Sequence, residues 1–228
     1  MLNILELVQS TKGKLINGNK DIIPKNYVID SRLIKNNDFF VPIVGEKVDG
    51  HTFILNCVKN NICGYFISSA FKEKEQIIKQ SLKINKEIII IEVEDTLKAL
   101  VAAATFNRQK HIDIPIVAVT GSVGKTSTRQ IIASVLATEK NVLVTEKNYN
   151  TNFGISIMCL KMDSQDVCVL EAGIDKFNEM DELSSILKPD IACFTIIGTS
   201  HIGTLKTREN IFKEKFKLTN NLKGLNKI

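Results

Sequence analysis

The chain has 228 residues, 44% hydrophobic and 24% charged, with a net charge of +5. Such a composition excludes a disordered or disulfide-stapled chain and allows one large or two small globular domains. The positive surplus is mostly lysine, spread along the chain, with 6% aromatics and no Trp. A nucleic-acid stripe would be clustered and rich in Arg and aromatics, so no nucleic-acid partner is expected and the surplus reads as solvated surface with a bias toward phosphorylated ligands.

Leu2, Leu5 and Val8 predict a short amphipathic helix, without the basic and apolar regions of a signal peptide. Lys14 to Asn19 reads as a strand-like piece. Tyr27 to Arg32 and Asp38 to Val41 read as two short strands around a polar turn, and Gly45 to His51 as a glycine-containing loop. A helix follows from about Thr52 to Asn60, then a strand at Gly64–Ser68 and a charged amphipathic helix within Lys72–Lys86. Ile88 to Val93 is a continuous apolar strand, and Asp95-Thr96 caps a helix over Leu97–Arg108. A domain boundary is expected near Val93, giving domains of 1–93 and 94–228.

Ile116 to Val119 is a β-branched, buried-type strand followed at once by Gly121-Ser122-Val123-Gly124-Lys125-Thr126-Ser127, and a helical pattern to Thr138 comes next. Strand, glycine turn, Lys-Thr and helix form a phosphate-binding loop in its expected context. Glycines let backbone N–H groups face phosphate oxygens, and the helix start adds donors and partial positive charge. Lys125 reaches the β/γ phosphates and Thr126 offers a hydroxyl to Mg²⁺. Val119 stands where the longer form of this loop has glycine, so the form here is the short one.

Strands at Val142–Thr145, Val167–Glu171 and Ile191–Ile197 then alternate with helices to about Leu160, over Glu179–Leu187 and over Arg208–Leu222. Successive βα units imply a parallel sheet whose ligands sit at the carboxyl ends of the strands. The fold class is therefore α/β: a small N-terminal α/β domain followed by a P-loop-type parallel-sheet domain. The strand ends supply the candidates. Glu171 is placed to ligate Mg²⁺ or is a solvated strand-end acid. His201 faces phosphate or metal or is structural. Thr145, Asn148 and Asn150 border a turn that either caps a helix or hydrogen-bonds a polar substrate. Alternate lysines at 213, 215 and 217 read as solvent-facing.

The five cysteines (57, 63, 159, 168, 193) form no C-x-x-C, which argues for a reducing compartment and against a zinc site. No apolar run approaches the roughly 20 residues of a membrane span, and a cytoplasmic location is expected.

Thr120–Ser127, Leu170-Glu171-Ala-Gly, Ile197-Gly-Thr-Ser-His201, Asp30-Ser31-Arg32 and Asp49-Gly-His51 together resemble the Mur ligases of peptidoglycan synthesis. The resemblance runs in order over nearly the whole chain. It implies an ATP- and Mg²⁺-dependent amide ligation through an acyl phosphate, in the form that adds D-Ala-D-Ala to UDP-MurNAc-tripeptide, by a monomer. It implies that Lys125, Glu171, His201 and Lys215 are catalytic, with Lys215 as a carbamate. Gly121–Ser127 would bind nucleotide, and Thr126, Glu171 and His201 would bind metal. Ser31, Gly45, Glu46, Lys47 and Val48 match positions that hold the UDP part, and Asn150 a substrate-contacting asparagine; Thr145 and Asn148 join them as substrate candidates. The first domain would bind the UDP substrate, and residues 94–228 would be a partial central ATP-binding domain. The C-terminal acceptor domain is expected to be absent, so that the chain alone does not complete ligation. The chain departs from the family pattern at Thr151, Ser156, Ile196 and Lys217. Two other readings stay open: a related ligase with another amino-acid substrate, and a non-catalytic copy that binds nucleotide or UDP-sugar, which Ile196 and Lys217 favour.

Overall fold

A computed structural model describes residues 1–224 of the chain. The chain divides into two compact units, Met1–Phe106 and Asn107–Ile228. Among the described residues no helix is long and apolar enough to cross a membrane.

The first unit opens with α1 (Ile4–Thr11), which Asn3 and Glu6 cap reciprocally, each side chain accepting the other's backbone N–H. Five strands follow: β1 (Lys14–Asn17), β2 (Tyr27–Val28), β3 (Phe39–Phe40), β4 (Gly64–Ser68) and β5 (Ile89–Val93). They form one sheet in the order β1-β5-β4-β3-β2. Only β1 runs antiparallel, against β5; the other neighbours are parallel. Helices α2 (Ile54–Lys59) and α3 (Lys74–Ile84) contribute to a core of Phe40, Ile54, Cys57, Tyr65, Ile67 and Ile90. The expected helix from Thr52 is in fact a 3-10 turn over Gly50–Phe53 that passes into α2, with Asp49 capping the turn through the His51 N–H.

Helix α4 covers Thr96–Lys110. Asp95 caps it by accepting from Leu97 and Lys98 N–H, at 2.8 and 2.9 Å. The division of the chain lies inside this helix, between Phe106 and Asn107, rather than after Val93. The reason is that the start of α4 is fastened to the first unit: the Thr96 hydroxyl donates to the Pro42 carbonyl.

The second unit holds β6 (Ile116–Thr120), α5 (Lys125–Leu136), β7 (Val142–Val144), α6 (Asn152–Leu160), β8 (Val167–Glu171), α7 (Glu179–Leu187), β9 (Ile191–Phe194), α8 (Ile202–Leu205) and α9 (Arg208–Phe216). Its four strands are all parallel, in the order β7-β8-β6-β9. Every residue of β6 and of β8 is buried, as expected for central parallel strands covered on both faces. The chain leaves β6 toward β7 and leaves β8 toward β9. Their adjacent carboxyl ends are thus a topological switch point, where ligands of such sheets bind.

Two expected elements of this unit end three or more residues early. β9 stops at Phe194 rather than Ile197, because the chain then folds over the glycine loop: Ser122 N–H donates to the Ile196 carbonyl at 2.8 Å. The last helix ends at Phe216, followed by a 3-10 turn over Lys217–Thr219, and the short helix α8 precedes it. All five cysteines are free, and burial pushes the Cys57, Cys159 and Cys168 thiols up to about 12, which leaves them inert as nucleophiles.

Candidate active site

The loop after β6 is shaped by two glycines. Gly121 has φ +147°, and a Cβ there would run into the Thr195 hydroxyl, which itself donates to the Val123 carbonyl at 2.7 Å. Gly124, at φ +86°, turns the chain into α5 in a conformation that costs a side-chain-bearing residue energy. Lys125 is therefore the first residue of α5, and its Nζ donates to the Gly121 carbonyl at 3.0 Å. A second loop lies on the first: the Ser200 hydroxyl donates to the Ser122 carbonyl at 3.3 Å, and Ile196 bridges to Val123.

Glu171 ends β8 and is only 5% exposed. The Thr126 hydroxyl donates to Oε2 at 2.9 Å, and Asn150 Nδ2 donates to Oε1 at 3.0 Å. The Glu171 N–H donates to the Thr145 hydroxyl at 2.7 Å. Both carboxylate oxygens thus have donors, which is what a buried carboxylate requires. Asn150 is fixed from both ends, because its carbonyl accepts from Gly173 N–H at 2.7 Å. The structure therefore brings Thr126, Thr145, Asn150 and Glu171 together at the switch point. Asn148 enters the turn only through its backbone, accepting from Asn150 N–H.

His201 sits in the left-handed region, φ +65°, at the start of α8, and its Nδ1 pairs with Asp175 Oδ1 at 2.9 Å. Lys215 reverses the expectation of a surface lysine: on α9 it is 1% exposed, while Lys213 pairs with Glu209 in solvent. Burial, with the nearby charge of Lys125 adding to it, pulls the Lys215 amine down to about 8, against a partial opposition from Asp175. Lys217 is turned onto Glu214 Oε2 at 2.7 Å and Asn178 Oδ1 at 3.0 Å.

The oxygen donors suit a hard cation. Thr126 and Glu171 present a hydroxyl and a carboxylate side by side, the partial protein set that Mg²⁺ takes when phosphates and waters complete its shell. Among the described residues no group of three or more His, Cys, Asp or Glu could hold a metal ion, and the His201 ring is paired with Asp175.

In the first unit, a separate cleft of about 470 Å³ is lined by Ile29, Asp30, Ser31, Arg32, Ile43, Val48, Gly50 and Phe53. It includes Ser31 and Val48 of the expected substrate residues; Gly45, Glu46 and Lys47 do not line it. The loop they occupy is closed by Gly45 N–H donating to the Val48 carbonyl. In the second unit, sequence reasoning missed Arg129 beside Glu171, Asp175 beside His201 and Glu214 beside Lys217. Only Arg129 carried a legible signal, its spacing of three from Thr126 on one helix face.

A P-loop-type sheet with a lysine, a threonine and a strand-end acid at its switch point has the makeup of a nucleotide-phosphate site. Residues 119–227 match the Mur ligase middle domain. It is 32% identical over 223 residues to the UDP-N-acetylmuramoyl-tripeptide–D-alanyl-D-alanine ligase of Bacillus subtilis, a match that covers 97% of this chain and 46% of that protein. The same enzyme of Synechocystis is 32% identical over 219 residues, covering 96% of this chain and 46% of the relative. In three dimensions the chain is similar to MurF from Acinetobacter baumannii, with a TM-score of 0.80 at 27% identity, over 98% of this chain and 47% of that one. It is also similar to the MurF ligase of Thermotoga maritima solved in complex with ADP, with a TM-score of 0.70 at 26% identity, over 87% of this chain and 43% of that one. The chain thus spans about half the length of the relatives it matches.

Proposed function

We propose that the chain carries the phosphate-transfer half of an ATP-dependent amide ligase that joins D-Ala-D-Ala to UDP-MurNAc-tripeptide. The observation that supports this most is the 2.9 Å Thr126–Glu171 oxygen pair beside the Gly121–Lys125 loop, with a buried, depressed Lys215 in the field of Lys125. In this reading the tripeptide carboxylate attacks the γ-phosphorus of ATP, the β–γ bridge bond breaks and ADP leaves. The amine of D-Ala-D-Ala then attacks the acyl carbon, phosphate leaves and the amine proton is lost.

Each residue has a part in positioning and charge balance. The loop N–H groups and Lys125 hold the β and γ phosphates. Thr126 and Glu171 would hold Mg²⁺, which would supply charge neutralisation on the phosphates. The neutral form of the buried Lys215 adds through its nitrogen to CO₂ and releases a proton to solvent, so that the cation is replaced by a carbamate anion. His201, oriented by Asp175, faces the same region. Asn150 holds Glu171 and borders the substrate side with Thr145. The first unit takes the UDP part in the Ser31–Val48 cleft.

Two measurements test the reading. Calorimetry with Mg²⁺ and ATP gives saturable binding that Lys125→Ala weakens on the order of a hundredfold. A ¹³C carbamate resonance forms from labelled bicarbonate and is missing in Lys215→Arg. The absence of both in the wild-type chain refutes it.

A further inference from the structure

Arg129 follows Thr126 by one turn of α5 (129 − 126 = 3), so both side chains leave the helix on one face. Its side chain is buried, and such a guanidinium is unfavourable unless paired. The pairing here is specific. Nη1 donates to the Thr145 carbonyl at 2.8 Å and lies 3.7 Å from Glu171 Oε2, while Nε, also buried, has no hydrogen-bond partner. Thr145 is itself tied to Glu171, whose N–H donates to its hydroxyl. Arg129 therefore acts on Glu171 by two routes: directly as a counter-charge to Oε2, and through Thr145 on the backbone. The atom it faces, Oε2, is the one that Thr126 also holds.

Lys125 is engaged differently, across the loop at the Gly121 carbonyl. The two cations of this helix are thus divided between the phosphate side and the acid side. We propose that Arg129 is a positioning residue that presets the Thr126–Glu171 oxygen pair for a divalent cation and so couples cation binding to nucleotide binding. This rests on the reading of the site as one for a nucleotide with Mg²⁺. A spare buried guanidinium could have been replaced by an apolar side chain; one aimed at both fixings of a single carboxylate keeps that carboxylate in place while no cation is there.

The test is the ratio of ADP dissociation constants measured without and with Mg²⁺ on the 228-residue chain. The wild-type ratio exceeds one. In Arg129→Gln it falls about tenfold, the scale on which groups that orient metal ligands act, while metal-free ADP binding changes little. Arg129→Lys, which keeps the charge and one donor, loses less. An unchanged ratio in Arg129→Gln overturns the proposal, even if ADP binds more weakly throughout. If Arg129→Gln does not fold by circular dichroism, Arg129→Lys decides: a reduced ratio supports the coupling role and an unchanged one overturns it. A wild-type chain that binds no ADP overturns the nucleotide reading, and this role with it; a wild type that binds ADP with a Mg²⁺-dependent ratio leaves only the role of Arg129 at stake.

Discussion

Replacing Lys215 by methionine should stabilise the protein at neutral pH. The folded-state amine is drawn from 10.5 down to about 8. A group whose folded pKa lies below its unfolded value destabilises the fold in its protonated form, and does so fully below the folded pKa. A shift of about 2.5 units corresponds to about 3 kcal/mol. Between about pH 8 and 10.5 the unfolded chain binds more protons than the folded one, so the penalty fades as pH rises through that window. Lys215→Met, close in volume and apolar, removes the buried cation. Its advantage over wild type should be up to about 3 kcal/mol at pH 7, less what repacking costs, and should shrink toward zero by about pH 10.5. Urea unfolding followed by circular dichroism at pH 7 and pH 10 measures it, in buffers purged of CO₂ so that carbamate does not form. A variant that is less stable than wild type at pH 7, or a difference independent of pH, would refute the reasoning. It would mean that Lys215 is held by partners that compensate its burial.

Two more outcomes concern the glycine loop and the turn after α9. Gly121→Ala should cost at least about 2 kcal/mol, since φ is +147° and the added methyl meets the Thr195 hydroxyl; thermal unfolding should drop by several degrees. Lys217→Glu should destabilise by about 3 kcal/mol: it removes the partner of a buried Glu214 and sets a like charge beside it, and urea unfolding would show the loss.

Most of the second unit was legible because its signals are local. β6, β8 and α7 could be read from runs and periodicity alone, and Glu179–Leu187 matches the helix residue for residue. The Gly121–Thr126 string fixed the loop, since glycines at positive φ and a following helix leave few alternatives. What failed depended on contacts distant in sequence. β9 was read three residues too long because Ile196 and Ile197 are apolar, and only the loop folding over Ser122 shows why pairing to β6 stops at Phe194. The division after Val93 followed the end of a strand, whereas the Thr96 hydrogen bond to Pro42 keeps the start of α4 with the first unit. Lys215 looked like its neighbours because alternate lysines carry no sign of which one is buried, and α9 has little amphipathic character to reveal it.

The same distance effect bears on the choice between a working site and a decayed copy. Ile196 and Lys217 favoured decay as long as each was seen only as a missing polar group near the phosphates. At Ile196 the side chain is 66% exposed, and the group that matters is the backbone carbonyl holding Ser122 N–H, which any residue supplies. At Lys217 the ammonium is neutralised by the buried Glu214 and held by Asn178 at the start of α7, so it adds no free cation to the site. Glu214 in turn takes the Met180 N–H, which ties the end of α9 to the first turn of α7 with Lys215 next in the chain. A copy under no demand to keep the site would have no reason to retain a fully bonded Glu171 and a buried Lys215 at once, since both are costly when unsatisfied. Their joint presence beside the Gly121–Thr126 loop, Glu171 through Thr126 and Lys215 through the charge of Lys125, is the argument that these departures are accommodated rather than degenerate.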